Sequence, residues 1–194
     1  MLQSKYLTEV ELSDFGFKSL GTNVKISTDA RIYGQENISI GNNVRIDDFS
    51  ILSSSKGYID IGSNVFIARN AHLSGFFGIT INPFVTLASY VVIYSASDDY
   101  SGETLTGQAI SDEYTKHIGG EVIIGKHVIL GSGTTVIGKS NIGEGCSIGS
   151  KSLVRNDLDP WGIYVGSPCK RIKNRKKDLL LLEKKFLVEN PDWS

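Results

Sequence analysis

The chain has 194 residues, enough for one domain with a sizeable core, and its 20 basic and 21 acidic side chains nearly cancel. That balance excludes a whole-molecule field for nucleic acid or an anionic membrane surface. No apolar run approaches the roughly 18 residues of a membrane span, and the 2 cysteines make neither a disulfide framework nor a metal pattern, so a reduced, cytoplasmic protein is the expectation.

Residues 1–19 lack the basic start and apolar stretch of a secretory signal. They are expected to form an N-terminal cap. From Leu20 an aliphatic residue recurs every sixth position: Leu20, Ile26, Ile32 and Ile38, then Ile40, Ile46 and Leu52, then Ile61, Ile67, Leu73 and Ile79, then Ile81, Leu87 and Ile93. The motifs "ISIGNNVRI", "IDIGSNVFI", "ITINPFVTL" and "VIIGKHVIL" mark the restarts, at intervals of 21, 20 and 43 residues. Six is the period of neither a helix nor a strand. Three hexads per repeat describe a triangular coil of three short strands, each sending one aliphatic residue inward to stack on its equivalent one coil away. Gly, Asn, Asp and Ser follow that residue, as in "IGNN" and "IGSN", where corners need left-handed backbone. The pattern is that of a parallel β-solenoid, whose ends need covering.

The hexads stop after Ile93, and residues 94–121 are polar throughout. A rigid solenoid gains little from so long an excursion unless it binds something. The adjacent Asp98 and Asp99, with Ser89, Ser95, Ser97 and His117 nearby in sequence, are its chemistry-bearing residues. Hexads then resume and hold phase without a slip through Ile124, Leu130, Val136, Ile142, Ile148 and Val154, which an ordinary β-sandwich does not explain. Pro160 and Pro168 bound an extended exit. Good helix formers run from Asn174 to Glu189, with Leu179, Leu182 and Phe186 on one face. That predicts an amphipathic helix packed on the solenoid end or on a neighbouring subunit. The organisation expected is one all-β domain: a cap (1–19), a solenoid (20–159) carrying the extruded loop (94–121), and an exit segment with a C-terminal helix (160–194).

The stretch "VIIGKHVILGSGTTVIGKSNIGEGCSIGSKSLVRNDL", followed by "VGSPCKRIK", resembles the hexapeptide-repeat acyltransferases, including the galactoside and maltose acetyltransferases and the enzymes that acylate nucleotide-linked amino sugars. The resemblance implies a left-handed β-helix, a homotrimer with active sites between neighbouring solenoids, acetyl-coenzyme A or another acyl-coenzyme A as co-substrate without a metal, and a place in surface-polysaccharide synthesis. Donor-binding residues of that family fall on Ser132, Ser150, Arg155, Asn156, Lys170 and Lys173. Ser132 and Ser150 lie 18 residues apart, one full coil. Small residues around them, Gly131, Gly133 and Gly149, are expected to leave room for a pantetheine arm and to offer it their amides, while Lys170, Arg171 and Lys173 face the coenzyme phosphates.

On the acceptor side the sequence departs from the sugar O-acetyltransferases. Where their catalytic histidine lies at the start of the loop, the register places Asp98, and His72, His117 and His127 fall elsewhere. An aliphatic hydroxyl needs a base near neutrality, for which an ordinary Asp of pKa about 3.9 is weak. An amine titrating near 8 is already partly neutral and attacks unaided, so a carboxylate needs only to orient it and stabilise the charge that develops. The reading is therefore acyl transfer to an amino sugar, with Asp98 and Asp99 as catalytic carboxylates and Ser89, Ser95, Ser97 and His117 contacting substrate. The alternatives are transfer to a sugar hydroxyl, a non-catalytic solenoid, and a zinc carbonic anhydrase, whose ligand spacing the three histidines do not match.

Overall fold

Backbone groups of each coil pair with the coils on either side throughout the computed structural model, which describes residues 5–193. Three parallel sheets result. The first face stacks the strands Ile38–Ile40, Ile59–Ile61, Ile79–Ile81, Val122–Ile124 and Ser140–Ile142. The second includes Arg45–Ile46, Phe66–Ile67, Thr86–Leu87, Ile129–Leu130 and Ser147–Ile148. The third includes Ile51–Ser53, His72–Ser74, Val92–Tyr94, Thr135–Ile137 and Leu153–Val154.

Register ties this architecture to the hexads. Ile40, Ile61, Ile81, Ile124 and Ile142 stand opposite one another in the first sheet. Leu52, Leu73, Ile93, Val136 and Val154 do so in the third. Nearly all of these side chains are fully buried, each contributing about 1.5–3 kcal/mol relative to exposure. Every departure from the six-residue step falls at one corner, between the third and first faces. There the chain adds the turn at Gln35–Asn37, then residues 54–58, then 75–78, and finally the 94–121 loop. After Ile124 that corner carries no insertion.

The other two corners do not follow the expected turn chemistry. Asn23, Asn43 and Asn64 have positive φ as anticipated, but so do Phe49, Phe84, Tyr90, His127 and Trp161, at 59–63°. Such conformations cost a bulky residue about 1–2 kcal/mol and persist where surrounding structure over-determines them. Here bonds between coils do so: Phe84 donates to the Ser63 carbonyl (3.1 Å), Tyr90 to Arg69 (3.1 Å) and Trp161 to Glu144 (2.8 Å). The outward side chains then stack, Phe84 on His127 at 5.3 Å.

At the N-terminal end a short helix, α1 (Glu9–Asp14), begins with a capping box between Thr8 and Glu11. It buries Leu12 against the core, with Leu7 and Phe17 beside it. Residues 1–4 of the expected cap lie outside the described residues. At the other end the structure corrects the sequence reading. The exit is an antiparallel hairpin, Gly162–Gly166 with Cys169–Asn174, and the helix α2 starts five residues later than expected, spanning Leu179–Glu189. Ile163, Tyr164 and Val165 favour strand, and Ile163 and Tyr164 continue the second sheet beyond Ser147–Ile148. No helix among the described residues is long and apolar enough to cross a membrane.

Helix α2 lies along the flank of the second face rather than on the solenoid end. Leu179, Leu182 and Phe186 line an apolar groove with Phe84, Val128 and Ile129. Glu183 anchors the helix, accepting from Lys126 Nζ and from His127 Nε2 (2.8 Å). Burial pushes the Glu183 carboxyl up, but hydrogen bonds from Lys126 and His127 outweigh it and hold the group below its ordinary value. A depressed carboxyl stabilises the fold above its unfolded pKa and ceases to as pH falls through the folded one. Glu183→Gln should therefore cost about 1–3 kcal/mol at neutral pH, and the gap from wild type in thermal unfolding should close below the ordinary carboxylate range near 4. A gap that persists unchanged at low pH would contradict the assignment.

Candidate active site

Two groups of predicted site residues occupy two different corners of the prism. Ser89, Ser132 and Ser150 form a column at the corner between the second and third faces. Gly133 N donates to the Ser89 carbonyl (3.0 Å) and Lys151 N to that of Ser132 (2.9 Å). Ser132 and Ser150 are exposed, and Ser89 is half-buried. Their glycine neighbours need correcting. A Cβ on Gly131 would lie 2.6 Å from the Ser150 nitrogen, and one on Gly149 2.7 Å from Val165 Cγ1. These glycines let the coils approach closely. Their amides are also taken: Gly131 donates to Ile148, Gly133 to Ser89 and Gly149 to Tyr164. Outward donors remain at Ser132 and Ser150, whose amides have no hydrogen-bond partner among the described residues.

Arg155 and Asn156 follow the last strand of the third face and are exposed. Lys170 and Lys173 are exposed on the exit hairpin. Arg171 between them is engaged with Asn174 Oδ1 (3.0 Å) and lies 5.9 Å from the Tyr164 ring centroid. It braces the hairpin, leaving the two lysines as the freer cations.

The acceptor group stands at the third corner. The loop leaves the solenoid as an antiparallel pair, Ala96–Asp98 with His117–Gly119, that sets Asp98 opposite His117. His117 Nδ1 lies 3.7 Å from Asp98 Oδ1, and Asp98 is about one-third exposed, 37 %. His117 also packs on Phe76, ring centroids 4.5 Å apart. Side chains alternate along a strand, so Ser97 is turned to the opposite side from Asp98; its hydroxyl donates to the Asp98 carbonyl (2.9 Å).

Two further predicted residues have hydrogen-bond partners within the chain. Ser95 is fully buried, donating to the Ser74 carbonyl (3.0 Å) and accepting from Phe77 N (2.8 Å). It is thus turned away from any substrate. Asp99 is also buried. It accepts from Ser101 N (2.8 Å), Ser101 Oγ (2.8 Å) and Thr104 Oγ1 (3.3 Å), and these bonds, the Ser101 amide foremost, hold its carboxyl below the usual range. Asp99 closes a turn of its own loop, whereas Asp98 points to a partner across the hairpin. Sequence adjacency hid this difference, because the strand ends at Asp98 and Asp99 already belongs to the turn that follows.

Below the hairpin the loop folds down over the insertions of the earlier coils. Lys56 Nζ pairs with Asp112 Oδ2 of the loop at 3.0 Å and lies 5.2 Å from the Phe76 ring centroid. A cleft of about 220 Å³ separates loop from corner, bounded by Lys56, Phe76, Gln108, Ile110 and His117. Sequence reasoning passed over Lys56; its signal was its place in the insertion that interrupts the hexads.

The three histidines lie in separate surroundings. His72 Nδ1 is 3.3 Å from the Tyr94 hydroxyl, with burial lowering its pKa. His127 serves helix α2. No group of three His, Cys, Asp or Glu residues able to hold a metal occurs among the described residues.

No protein-family model matches the chain. It is 45% identical to the dTDP-4-amino-4,6-dideoxy-D-glucose acyltransferase of Escherichia coli over 93% of this chain and 94% of that one. Among solved structures it is similar to AntD, an N-acyltransferase from Bacillus cereus. A serine variant of AntD in complex with dTDP-4-amino-4,6-dideoxyglucose and coenzyme A superposes with a TM-score of 0.93 at 44% identity, covering 96% of this chain and 100% of that one. AntD with dTDP and 3-hydroxybutyryl-CoA gives 0.92 at 42% identity, covering 96% and 98%. The AntD structures include variants at that serine and at an aspartate ten positions later. The chain therefore belongs to the hexapeptide-repeat, left-handed β-helix acyltransferases, within the group that includes the dTDP-4-amino-4,6-dideoxy-D-glucose acyltransferase.

Proposed function

We propose that the protein moves a short acyl group from acyl-coenzyme A to the amino group of a nucleotide-linked sugar, working as a single-domain homotrimer in the cytoplasm. The observation that carries the reading is Asp98. A carboxylate stands at the root of the loop, about one-third exposed (37 %) and opposite His117, in a chain whose relatives acylate amino sugars. The neutral amine attacks the thioester carbonyl carbon. The tetrahedral adduct expels the coenzyme thiolate, and an amide forms as the carbon–sulfur bond breaks. The amine sheds one proton, which the thiolate takes up, its ordinary pKa of about 8.5 suiting it to that role. Asp98 orients the amine and stabilises the positive charge on nitrogen before the proton leaves. The amides and hydroxyls of Ser132 and Ser150 face the pantetheine arm, Ser89 lies at the acyl end of that column, and Arg155, Asn156, Lys170 and Lys173 meet the phosphates and adenine.

The two corners support a trimer. Between the serine column and the hairpin lies the third face, on the order of 10 Å of strand, with Ile51, Val92 and Leu153 in one outward row and Tyr33, Tyr94 and Ile137 in another. Tyr90 and Phe49 stand exposed on the corner beside it. A second copy seated on this face brings its own loop to the first copy's column. Both cysteines are free, as a reducing compartment keeps them.

Two observations favour variant readings. The Asp98–His117 pair has the form of a base with its orienting carboxylate, which would suit a hydroxyl acceptor. Ser89 and Asp99 reproduce the ten-residue serine–aspartate spacing of the altered AntD positions, which would make Asp99 the reacting carboxylate. Kinetics with acyl-coenzyme A and matched amino and hydroxy nucleotide sugars separate these. The expected result is turnover of the amine, with kcat/KM rising with pH to a plateau near the amine's own pKa of about 8. Asp98→Asn should lower it about 10²-fold without altering the profile. An acid limb that His117→Gln abolishes, or turnover of the hydroxy sugar alone, would transfer the reading to O-acylation. A loss confined to Asp99→Asn would move the role one residue along. For the assembly, sedimentation should give three times the 21.2 kDa chain, and Val92→Arg should release single chains; a monomer that retains full activity would contradict the trimer.

A further inference from the structure

The corner that releases the loop also fastens its return. Ile59, Ile79 and Val122 stand opposite one another in the first sheet, so the residues just before them, Tyr58, Gly78 and Glu121, form a column over three successive coils. Each of the three closes an insertion: 54–58, 75–78 and the 94–121 loop. The outer two are joined across the middle one. The Tyr58 hydroxyl donates to Glu121 Oε1 (2.5 Å), and Thr80 Oγ1 donates to the same oxygen (3.0 Å). Neighbouring coils lie about 4.7–4.9 Å apart, so the tyrosine reaches over a whole coil to make this bond. Gly78 permits it, since a Cβ there would lie 2.5 Å from Tyr58 Cε1. Tyr58, Thr80 and Glu121 are all half-buried. The hydrogen bond to Glu121, with burial second, raises the Tyr58 pKa, so the hydroxyl is still a donor at the pH where an amine titrating near 8 is neutral.

The bond fixes the second leg of the hairpin. The first leg leaves the solenoid at Ser95, which is buried and bonded to Ser74 and Phe77. The second leg returns through Gly119, at a φ of 147°, and Gly120, then rejoins the first sheet at Val122. Beyond the pairing of the hairpin itself, Gly120 N donates to the Ser95 carbonyl (3.0 Å). Two successive glycines bring backbone freedom and no side chain to hold the leg. Glu121 is the first side chain after them. His117, which faces Asp98 at 3.7 Å, lies only four residues before it.

We propose that Tyr58 and Glu121 are positioning residues for acyl transfer: their bond across Gly78 sets the return leg of the hairpin, and with it the placing of His117 against Asp98. The inference rests on the reading that this hairpin carries the group that meets the acceptor. Both residues act through the hairpin and touch no reacting atom. A misplacement of about 1 Å at a reacting group can cost on the order of 100-fold in rate. Loss of the bond should therefore appear in turnover and leave the coenzyme, proposed to lie at another corner, unaffected.

Tyr58→Phe tests this, because it removes the hydroxyl and keeps the ring over Gly78. Steady-state kinetics with acyl-coenzyme A and an amino nucleotide sugar should show kcat lower by about 10-fold, with KM for acyl-coenzyme A within about two-fold. Glu121→Ala should lose as much. Glu121→Gln keeps an acceptor oxygen and should restore most of the rate. The double variant of Tyr58→Phe with Glu121→Ala should be no slower than either change alone. Hydrogen exchange should quicken at residues 96–98 and 117–119 and stay unchanged in the coils beyond Val122. Wild-type kcat in Tyr58→Phe, or losses that multiply in the double variant, would overturn the proposal. So would a Glu121→Gln enzyme as slow as Glu121→Ala, which would make charge and not the hydrogen bond the working feature. A fall in kcat matched by weaker coenzyme binding and faster exchange in every coil would reduce the pair to a general support of the fold and overturn it too. Turnover of a hydroxy sugar alone would defeat only the choice of acceptor; His117 sits on the same hairpin, and the same comparison of kcat would then decide the proposal on that substrate.

Discussion

Register between coils governs this molecule. Each coil donates its amides to the next, and each interior aliphatic side chain stacks on its equivalent above and below. A coil with one residue too many on a face would turn its side chains out of the core and misplace every pairing beyond it. Extra residues are tolerated only where the chain leaves a face, and here they gather at a single corner. The division follows from geometry. Two corners are tied so tightly that aromatic residues are held in left-handed backbone, while the third is free to vary in length. The loop, Lys56 and Phe76 all arise there.

The hexads carried most of the fold. Their spacing dictated three faces, the stacking of Ile124 on Ile142, and the point at which the loop departs. They did not determine what fills a corner. Small polar residues were the expectation because isolated turns favour them, yet bonds between coils override that preference at Phe84, Tyr90 and Trp161. Gly131 and Gly149 were legible as special positions, but one reason for them was not. Their side-chain space is filled by the next coil and by Val165, a contact between residues far enough apart that no local pattern records it. The exit hairpin was hidden for a related reason. Its strands fall outside the hexads, and their pairing with each other and with the end of the second sheet is what makes them strands.

Legibility was lower at the site. The loop and its aspartates stood out because they broke a strong pattern. Which aspartate faces a partner depends on where the strand ends inside a hairpin whose second half begins at His117, and no period in the sequence announces that pairing. Ser95 and Asp99 show what polarity alone does not record. Both look like substrate ligands in a polar segment, and both have their hydrogen-bonding capacity consumed locally, Ser95 between Ser74 and Phe77, Asp99 by Ser101 and Thr104.

Donor and acceptor recognition therefore differ in the material they use. The serine column is built from in-phase coils, where each amide position repeats at a fixed 18-residue interval and any change in length would break the register. A coenzyme common to many acyltransfer reactions suits such an invariant track. The proposed acceptor residues lie outside the repeat, on the hairpin, which can lengthen or change side chains without disturbing the stacking of Ile93 or Val136. In the proposed reading, an aspartate rather than a histidine at the root of that loop changes what kind of nucleophile is served: a resting place for an ammonium charge in place of a base for a hydroxyl. The scaffold need not register the difference, because Asp98 lies one strand pairing beyond the last residue that the core constrains.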